Sequence, residues 1–96
     1  WQLGQGALTA ARLGEPETAV RIITLDTPTD RFMNSGYVRR PKEPKGCPAY
    51  LPVNASLLLA VGLMAEGWDG APAGTAPGFP HDGRWVVHAE GLNRMP

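Results

Sequence analysis

The sequence has little of several residue types on which whole classes of protein depend. It contains one cysteine, Cys47, which cannot form an internal disulfide or, alone, a thiolate zinc site. No histidine lies near Cys47 to act as its base, and we interpret it as an incidental thiol. With only two histidines, His81 and His88, separated by a turn signal, the sequence predicts no metal site and no cofactor.

An excess of charge of one sign is also missing. Nine lysines and arginines balance nine aspartates and glutamates, so no overall field attracts the chain to nucleic acid or anionic lipid. Residues 39–45 carry a local excess of three positive charges, which we interpret as a solvated stretch, with contact to a phosphate or carboxylate as the alternative. No apolar run approaches the roughly 20 residues that cross a bilayer. We therefore expect neither nucleic acid nor a membrane as a partner.

The sequence is instead rich in apolar residues, glycine and proline. A chain of 96 residues holds one small domain at most, which excludes a large self-contained enzyme. Hydrophobic residues make up 43% of it, while its twelve glycines and ten prolines concentrate in residues 26–53 and 67–83. The sequence starts at Trp1 without an initiator methionine and stops at Pro96, and we expect both ends to lie inside a longer protein.

The apolar spacing predicts a helical hairpin at the start of the chain. Residues 2–13 carry one apolar stripe that ends at Gly14, a favoured residue just past a helix end. Pro16 fits the first position of a second helix, predicted over residues 16–25. The β-branched residues of that segment also permit a strand, but the short gap and Pro16 favour the helix.

A strongly apolar helix is predicted in the middle of the chain. Residues 26–53 contain five prolines and no sustained period, so we expect a long loop there. Asn54 is then a favoured N-cap for a helix over residues 55–66 that is apolar on nearly every face. Such a helix must be buried all round, and two short helices cannot cover it. Its missing partners are expected outside these residues or in another copy of the chain.

The last part of the chain predicts a small β segment. Residues 71–78 form a connector, and residues 84–90 are predicted as a strand with Trp85, Val87 and Ala89 on one face. The predicted fold class is mainly α with a short C-terminal β segment: an αα-hairpin plus one buried helix. We divide the chain into residues 1–70, the helices and their loop, and residues 71–96, the linker and β region.

Three short stretches of the sequence, in this order along the chain, together resemble a known group of proteins. They are Tyr50-Leu51-Pro52-Val53-Asn54, then Gly67-Trp68-Asp69-Gly70, then Pro77-Gly78-Phe79-Pro80 continuing through Trp85-Val86-Val87 to Glu90-Gly91-Leu92. Together they resemble the C-terminal end of six-hairpin glycosidases, the group that includes glycoside hydrolase family 95 and uncharacterised bacterial relatives. The resemblance implies a fragment of an (α/α)6 barrel, residues 1–70 being its last helices and rim loop. It also implies cleavage of glycosidic bonds by paired carboxylates, commonly with inversion, in a secreted or periplasmic protein.

The resemblance also nominates residues for substrate binding. Asn54, Tyr50, Arg39 and Arg40 would lie at the barrel rim, where an amide, a ring and guanidinium groups can contact a sugar. The alternatives are helix capping for Asn54, packing for Tyr50 and solvation for the arginines. In the family an Asp-Gly-Asn-x-Gly motif opens the last barrel helix, and its Asp is taken as the general acid. Here residues 52–56 read Pro-Val-Asn-Ala-Ser, so only Asn54 matches and no catalytic residue is assigned.

The sequence thus leaves three hypotheses about function. The first is a C-terminal fragment of a glycoside hydrolase, inactive alone, whose partners are a carbohydrate substrate and the missing N-terminal part of the same chain. The second is a small helical interaction module that docks through the 55–66 helix, by Leu57, Leu58, Val61 and Met64. The third is an oligomer that completes its core between copies.

Overall fold

The computed structural model describes residues 2–27, 31–39 and 50–96, apart from the side chain of Arg39. Two residues singled out above, Arg40 and Cys47, lie outside this range. The chain is mainly helical, as predicted. Its elements in order are α1 (Gln2–Arg12), α2 (Pro16–Ile23), β1 (Arg31–Phe32), β2 (Val38–Arg39) and α3 (Leu51–Glu66).

The predicted helical hairpin is confirmed, and the sequence signals for its turn act as expected. Gly14 has a φ of 78°, the left-handed conformation that glycine adopts without strain. The Glu15 amide donates to the Ala10 carbonyl at 2.9 Å and the Gly14 amide to the Ala11 carbonyl at 3.0 Å, which together cap the end of α1. Pro16 begins α2, which ends at Ile23, two residues before the predicted end.

Small side chains allow α1 to lie very close to α3. The buried face of α1 consists of Gly4, Ala7, Ala10 and Ala11, and this helix packs against both α2 and α3. A Cβ atom added to Gly4 would lie 2.4 Å from the backbone carbon of Ser56 in α3. The shared core consists of Ala7, Ala10, Ala11, Ala19, Val20, Ala60, Leu63, Met64, Trp68 and Phe79.

The start of α3 differs from the prediction. The helix begins at Leu51, so Asn54 lies inside its first turn and the assignment of Asn54 as the N-cap is wrong. Pro52 falls in the first turn, where its fixed φ suits the helix and its missing N–H costs no hydrogen bond. The predicted loop over residues 26–53 is also interrupted, because β1 and β2 pair antiparallel with Phe32 opposite Val38.

One face of α3 is left open by the described residues. Leu63 and Met64 are completely buried, whereas Leu58 is 71% exposed, and Leu51 and Leu59 are also exposed. Together with Ala55 these three leucines form a stripe, which we call the open face of α3, since positions four, seven and eight residues apart share one side of a helix. Burial on all sides is therefore not achieved within the described chain.

The C-terminal part returns to the end of α3 without forming the predicted strand. Residues 84–90 form no strand and make no ladder pairing with any described residue, so the strand prediction is wrong, because a strand needs a neighbour to complete its hydrogen bonds. The alternation is retained, with Val87 and Ala89 half-buried and Val86 exposed. Met95 instead bridges to Trp68, and the Gly78 amide donates to the Met64 carbonyl at 2.9 Å. The boundary at residue 70 stays a prediction.

Candidate functional site

Two of the predicted substrate-binding residues lie at the amino end of α3, beside the β hairpin. Tyr50 immediately precedes the helix, and Asn54 follows one turn later; both are half-buried. The Asn54 amide nitrogen donates to the Gly36 carbonyl at 2.8 Å. Gly36 lies in the turn of the hairpin with a φ of 81°. The Gly36 amide donates a hydrogen bond to the Met33 carbonyl, which closes the turn. Asn54 therefore fixes the hairpin to the first turn of α3.

The hairpin also carries Arg39 and a residue that the sequence reasoning missed. The backbone of Arg39 lies in β2 opposite Arg31, whereas Arg40 falls outside the described residues. Tyr37 follows Gly36 directly and is about half exposed, at 49%. The run Asn34-Ser35-Gly36 between two apolar residues is a turn signal that could have predicted this hairpin. We call Tyr37, Tyr50 and Asn54 the rim cluster, after the barrel rim to which the resemblance would assign Tyr50 and Asn54.

The rim cluster presents polar groups to a ligand but contains no carboxyl group for the acid–base chemistry that the resemblance implies. It offers the exposed Tyr37 and the Asn54 side-chain oxygen, which accepts no hydrogen bond from the described residues. In glycoside hydrolysis the general acid is a carboxyl group with a raised pKa, as burial produces. All seven carboxylate residues in the described part of the chain are exposed: Glu15, Glu17, Asp26, Glu66, Asp69, Asp82 and Glu90.

Two of these carboxylates share one guanidinium, which joins the C-terminal segment to α2. Arg84 donates to Asp82 at 2.6 Å through Nε and to both oxygens of Glu17, at 2.7 and 2.8 Å, through Nη2. The hydrogen bonds from the Arg84 side chain and amide hold the pKa of Asp82 below its ordinary value of about 3.8. The hydrogen bonds to the carboxylates of Asp82 and Glu17 in turn raise the pKa of Arg84. A carboxyl group with a lowered pKa is unsuited to act as a general acid.

This ion pair predicts a measurable change in the titration of Asp82. Substituting Arg84→Met should return the Asp82 pKa toward about 3.8, followed by the carboxyl carbon shift in an NMR pH titration. Because the pKa of Asp82 is lower in the folded state, the pair stabilises the fold fully at pH values above the ordinary pKa of about 3.8. The contribution is lost as the pH falls further and the folded carboxylate is protonated. Arg21→Met is the control, since Arg21 makes no ion pair with a described residue; an unchanged Asp82 titration in Arg84→Met would contradict the assignment.

Three cavities lie along the C-terminal segment near Val87. A groove of about 440 Å³ separates α3 from residues 87–92, and its lining includes Leu58, Val61 and Leu92. A second cavity of about 270 Å³ is lined by Glu66, Thr75 and His88, among others. The third, of about 110 Å³, lies between Thr75, His81 and Trp85. Val87 borders all three, so they surround one stretch of chain.

The comparisons with known proteins leave the class of the chain open. Neither a protein-family model, nor a curated protein, nor a solved structure matches it. Among residues 2–27, 31–39 and 50–96, no three histidine, cysteine or acidic residues are grouped so as to hold a metal ion. No helix in the described part of the chain combines the length and apolar character needed to cross a membrane.

Proposed function

We propose that this chain is the C-terminal, non-catalytic part of an (α/α)-barrel glycoside hydrolase and is inactive alone. The observation that carries the proposal is the open face of α3: Leu51, Ala55, Leu58 and Leu59 are exposed on one side of the helix. Residues 51–65 of α3 contain no charged side chain, so this face suits contact with apolar protein. In a helical barrel, neighbouring helices would cover it.

The arrangement of the other helices agrees with this role. The helices α1 and α2 form a hairpin and α1 packs across α3, as terminal hairpins of such a barrel would. The rim cluster supplies a ring and polar groups at the amino end of α3, where a carbohydrate substrate would pass. The missing N-terminal part of the same chain would supply the remaining barrel helices and the paired carboxylates that cleave the bond.

The same open face also supports a second candidate, a helical interaction module that docks on a different protein. Four residues were nominated for such docking, but Met64 is completely buried and cannot take part. Leu57 and Val61 are half-buried, which leaves Leu58 as the exposed member of the four. Leu59, which was not nominated, is exposed beside it. In this candidate the partner would be a separate polypeptide with an apolar groove.

The proposed function predicts that a charge on the open face weakens assembly. Leu58→Glu should weaken association with the polypeptide encoded upstream in the same reading frame by at least about tenfold, since a charge would lose its hydration there. The matched control is Leu13→Glu: Leu13 is 74% exposed and Leu58 is 71% exposed, but Leu13 lies at the end of α1. Co-purification and hydrolysis of a panel of chromogenic glycosides are the measurements.

The outcomes separate the two candidates. Hydrolysis by the chain alone, or equal association of both glutamate variants, would refute the first proposal. A wild-type chain that unfolds cooperatively as a monomer and gains neither association nor activity from the upstream polypeptide would favour the interaction module. Sedimentation of the chain as a defined oligomer, abolished by Leu58→Glu, would point to a core completed between copies.

A further inference from the structure

We propose that Trp85 forms a second saccharide-binding surface, separate from the rim cluster. For the class of its ligand this inference rests on the proposed function. The indole of Trp85 packs on the ring of Phe79 at a centroid distance of 5.8 Å and a tilt of 49°. Phe79 belongs to the core, whereas Trp85 remains 39% exposed. A buried ring thus holds the indole in place while part of its surface is open to a ligand.

Polar groups surround the exposed indole. The cavity of about 110 Å³ beside it is lined by Thr75 and His81 as well as Trp85 and Phe79. The Thr75 hydroxyl and the Trp85 indole N–H make no hydrogen bond with any described residue. The Nε2 atom of His81 lies 3.2 Å from the Ala76 carbonyl oxygen, and this contact orients the ring. The other ring nitrogen, Nδ1, makes no hydrogen bond with a described residue. An apolar surface edged by hydrogen-bonding groups matches a pyranose, which has C–H faces and hydroxyl edges.

The size of the site indicates an oligosaccharide. A volume of about 110 Å³ equals that of three or four liquid waters at roughly 30 Å³ each, so the cavity holds only part of a sugar ring. The neighbouring cavity of about 270 Å³ shares Thr75, Ala76 and Val87 with it. A ligand that extends over both cavities would place successive sugar units along the segment that carries Trp85.

The surrounding charge indicates that the saccharide is neutral. Arg84, next to Trp85, is engaged by the carboxylates of Asp82 and Glu17. Glu66 lines the neighbouring cavity, and Glu90 directly follows Ala89 of the same lining, with one carboxylate oxygen 2.8 Å from His88 Nε2. Negative charge therefore exceeds positive charge around the site, which disfavours uronic acids, sulfated sugars and phosphates.

The test is a titration of the full chain with neutral hexasaccharides of β-1,4-linked glucose, xylose and mannose, and with hexagalacturonate as the anionic probe. We expect at least one neutral probe to shift the indole N–H signal of Trp85 in ¹⁵N–¹H spectra. The signal of Trp68, which is buried, serves as the internal control. The anionic probe should bind at least tenfold more weakly.

Variants assign the binding to the aromatic surface. Trp85→Leu keeps an apolar contact with Phe79 but removes the ring, and should weaken binding at least about tenfold, whereas Trp85→Phe should stay within about threefold. His81→Ala should weaken it about fivefold, the loss of one hydrogen bond. If Trp85→Leu fails to fold, the His81→Ala affinity and the wild-type shift map decide the question.

Several results would overturn the proposal. They are no Trp85 shift with any neutral probe, equal affinity of wild type and Trp85→Leu, or a Trp85 shift with tetramethylammonium in place of the sugars, which indicates a cation–π site. The measurement requires no hydrolysis and no upstream polypeptide. Binding without assembly would therefore refute the proposed function alone, and assembly with a silent Trp85 would refute this inference alone.

Discussion

Leu63→Ala is expected to lower the free energy of unfolding by about 2–5 kcal/mol, the range for deleting most of a buried leucine side chain. Leu63 has no exposed surface and is among the largest completely buried side chains in the described structure. The core that contains Leu63 also includes Ala7, Ala10 and Ala60, whose methyl side chains are too short to fill the space. A cavity left by the substitution would therefore persist, and denaturant unfolding followed by circular dichroism would measure its cost.

The matched control is the same substitution on the open face of the same helix. Leu58→Ala should change the free energy of unfolding by less than about 0.5 kcal/mol, because Leu58 is 71% exposed and buries little surface. Equal losses at both positions would mean that α3 packs in another orientation. A domain of this size is stable by only about 5–15 kcal/mol, so Leu63→Ala alone could unfold a large fraction of the chain.

Gly4→Ala and Gly6→Ala, two identical substitutions in α1, are expected to have effects of opposite sign. A Cβ at Gly4 would lie 2.4 to 2.6 Å from the carbonyl group and hydroxyl of Ser56, so α1 and α3 must separate. The expected loss is about 1–3 kcal/mol, typical of an overpacked contact. Among the described residues, a Cβ at Gly6 would meet the Ile22 side chain alone, at 3.6 Å, an ordinary contact.

Gly6→Ala should therefore stabilise the chain by about 0.5–1 kcal/mol, because alanine is the better helix former. Thermal or urea unfolding of the two variants side by side gives the comparison. Stabilisation by both substitutions would show that α1 does not approach α3 as closely as the Gly4 geometry requires. Destabilisation by both would indicate that the buried small-residue face of α1 extends beyond Gly4, Ala7, Ala10 and Ala11 to include Gly6.

The site illustrates which features the sequence could reveal. Tyr50 and Asn54 were nominated from a resemblance, and the structure places them at the start of α3, where Asn54 contacts a β hairpin. The sequence had predicted a loop in place of that hairpin, because residues 26–53 contain five prolines. The contact between Asn54 and Gly36 joins residues 18 positions apart, a separation that no local pattern encodes. Trp85 was noted on one face of a predicted strand and within the resemblance, but not as a binding residue. Its role in the second proposal depends on Phe79 and Thr75, which loops bring alongside it.

The sequence by itself determined the helical hairpin, its Gly14 turn, the Pro16 start of α2 and the end of α3 at residue 66, because each depends on backbone chemistry within a few residues. Only the tertiary structure decided where α3 begins, which of its faces is buried and whether residues 84–90 pair as a strand. Those outcomes depend on the neighbour that each segment meets. A glycine such as Gly4 allows two backbones to touch, and a segment without a partner strand gains no ladder of hydrogen bonds.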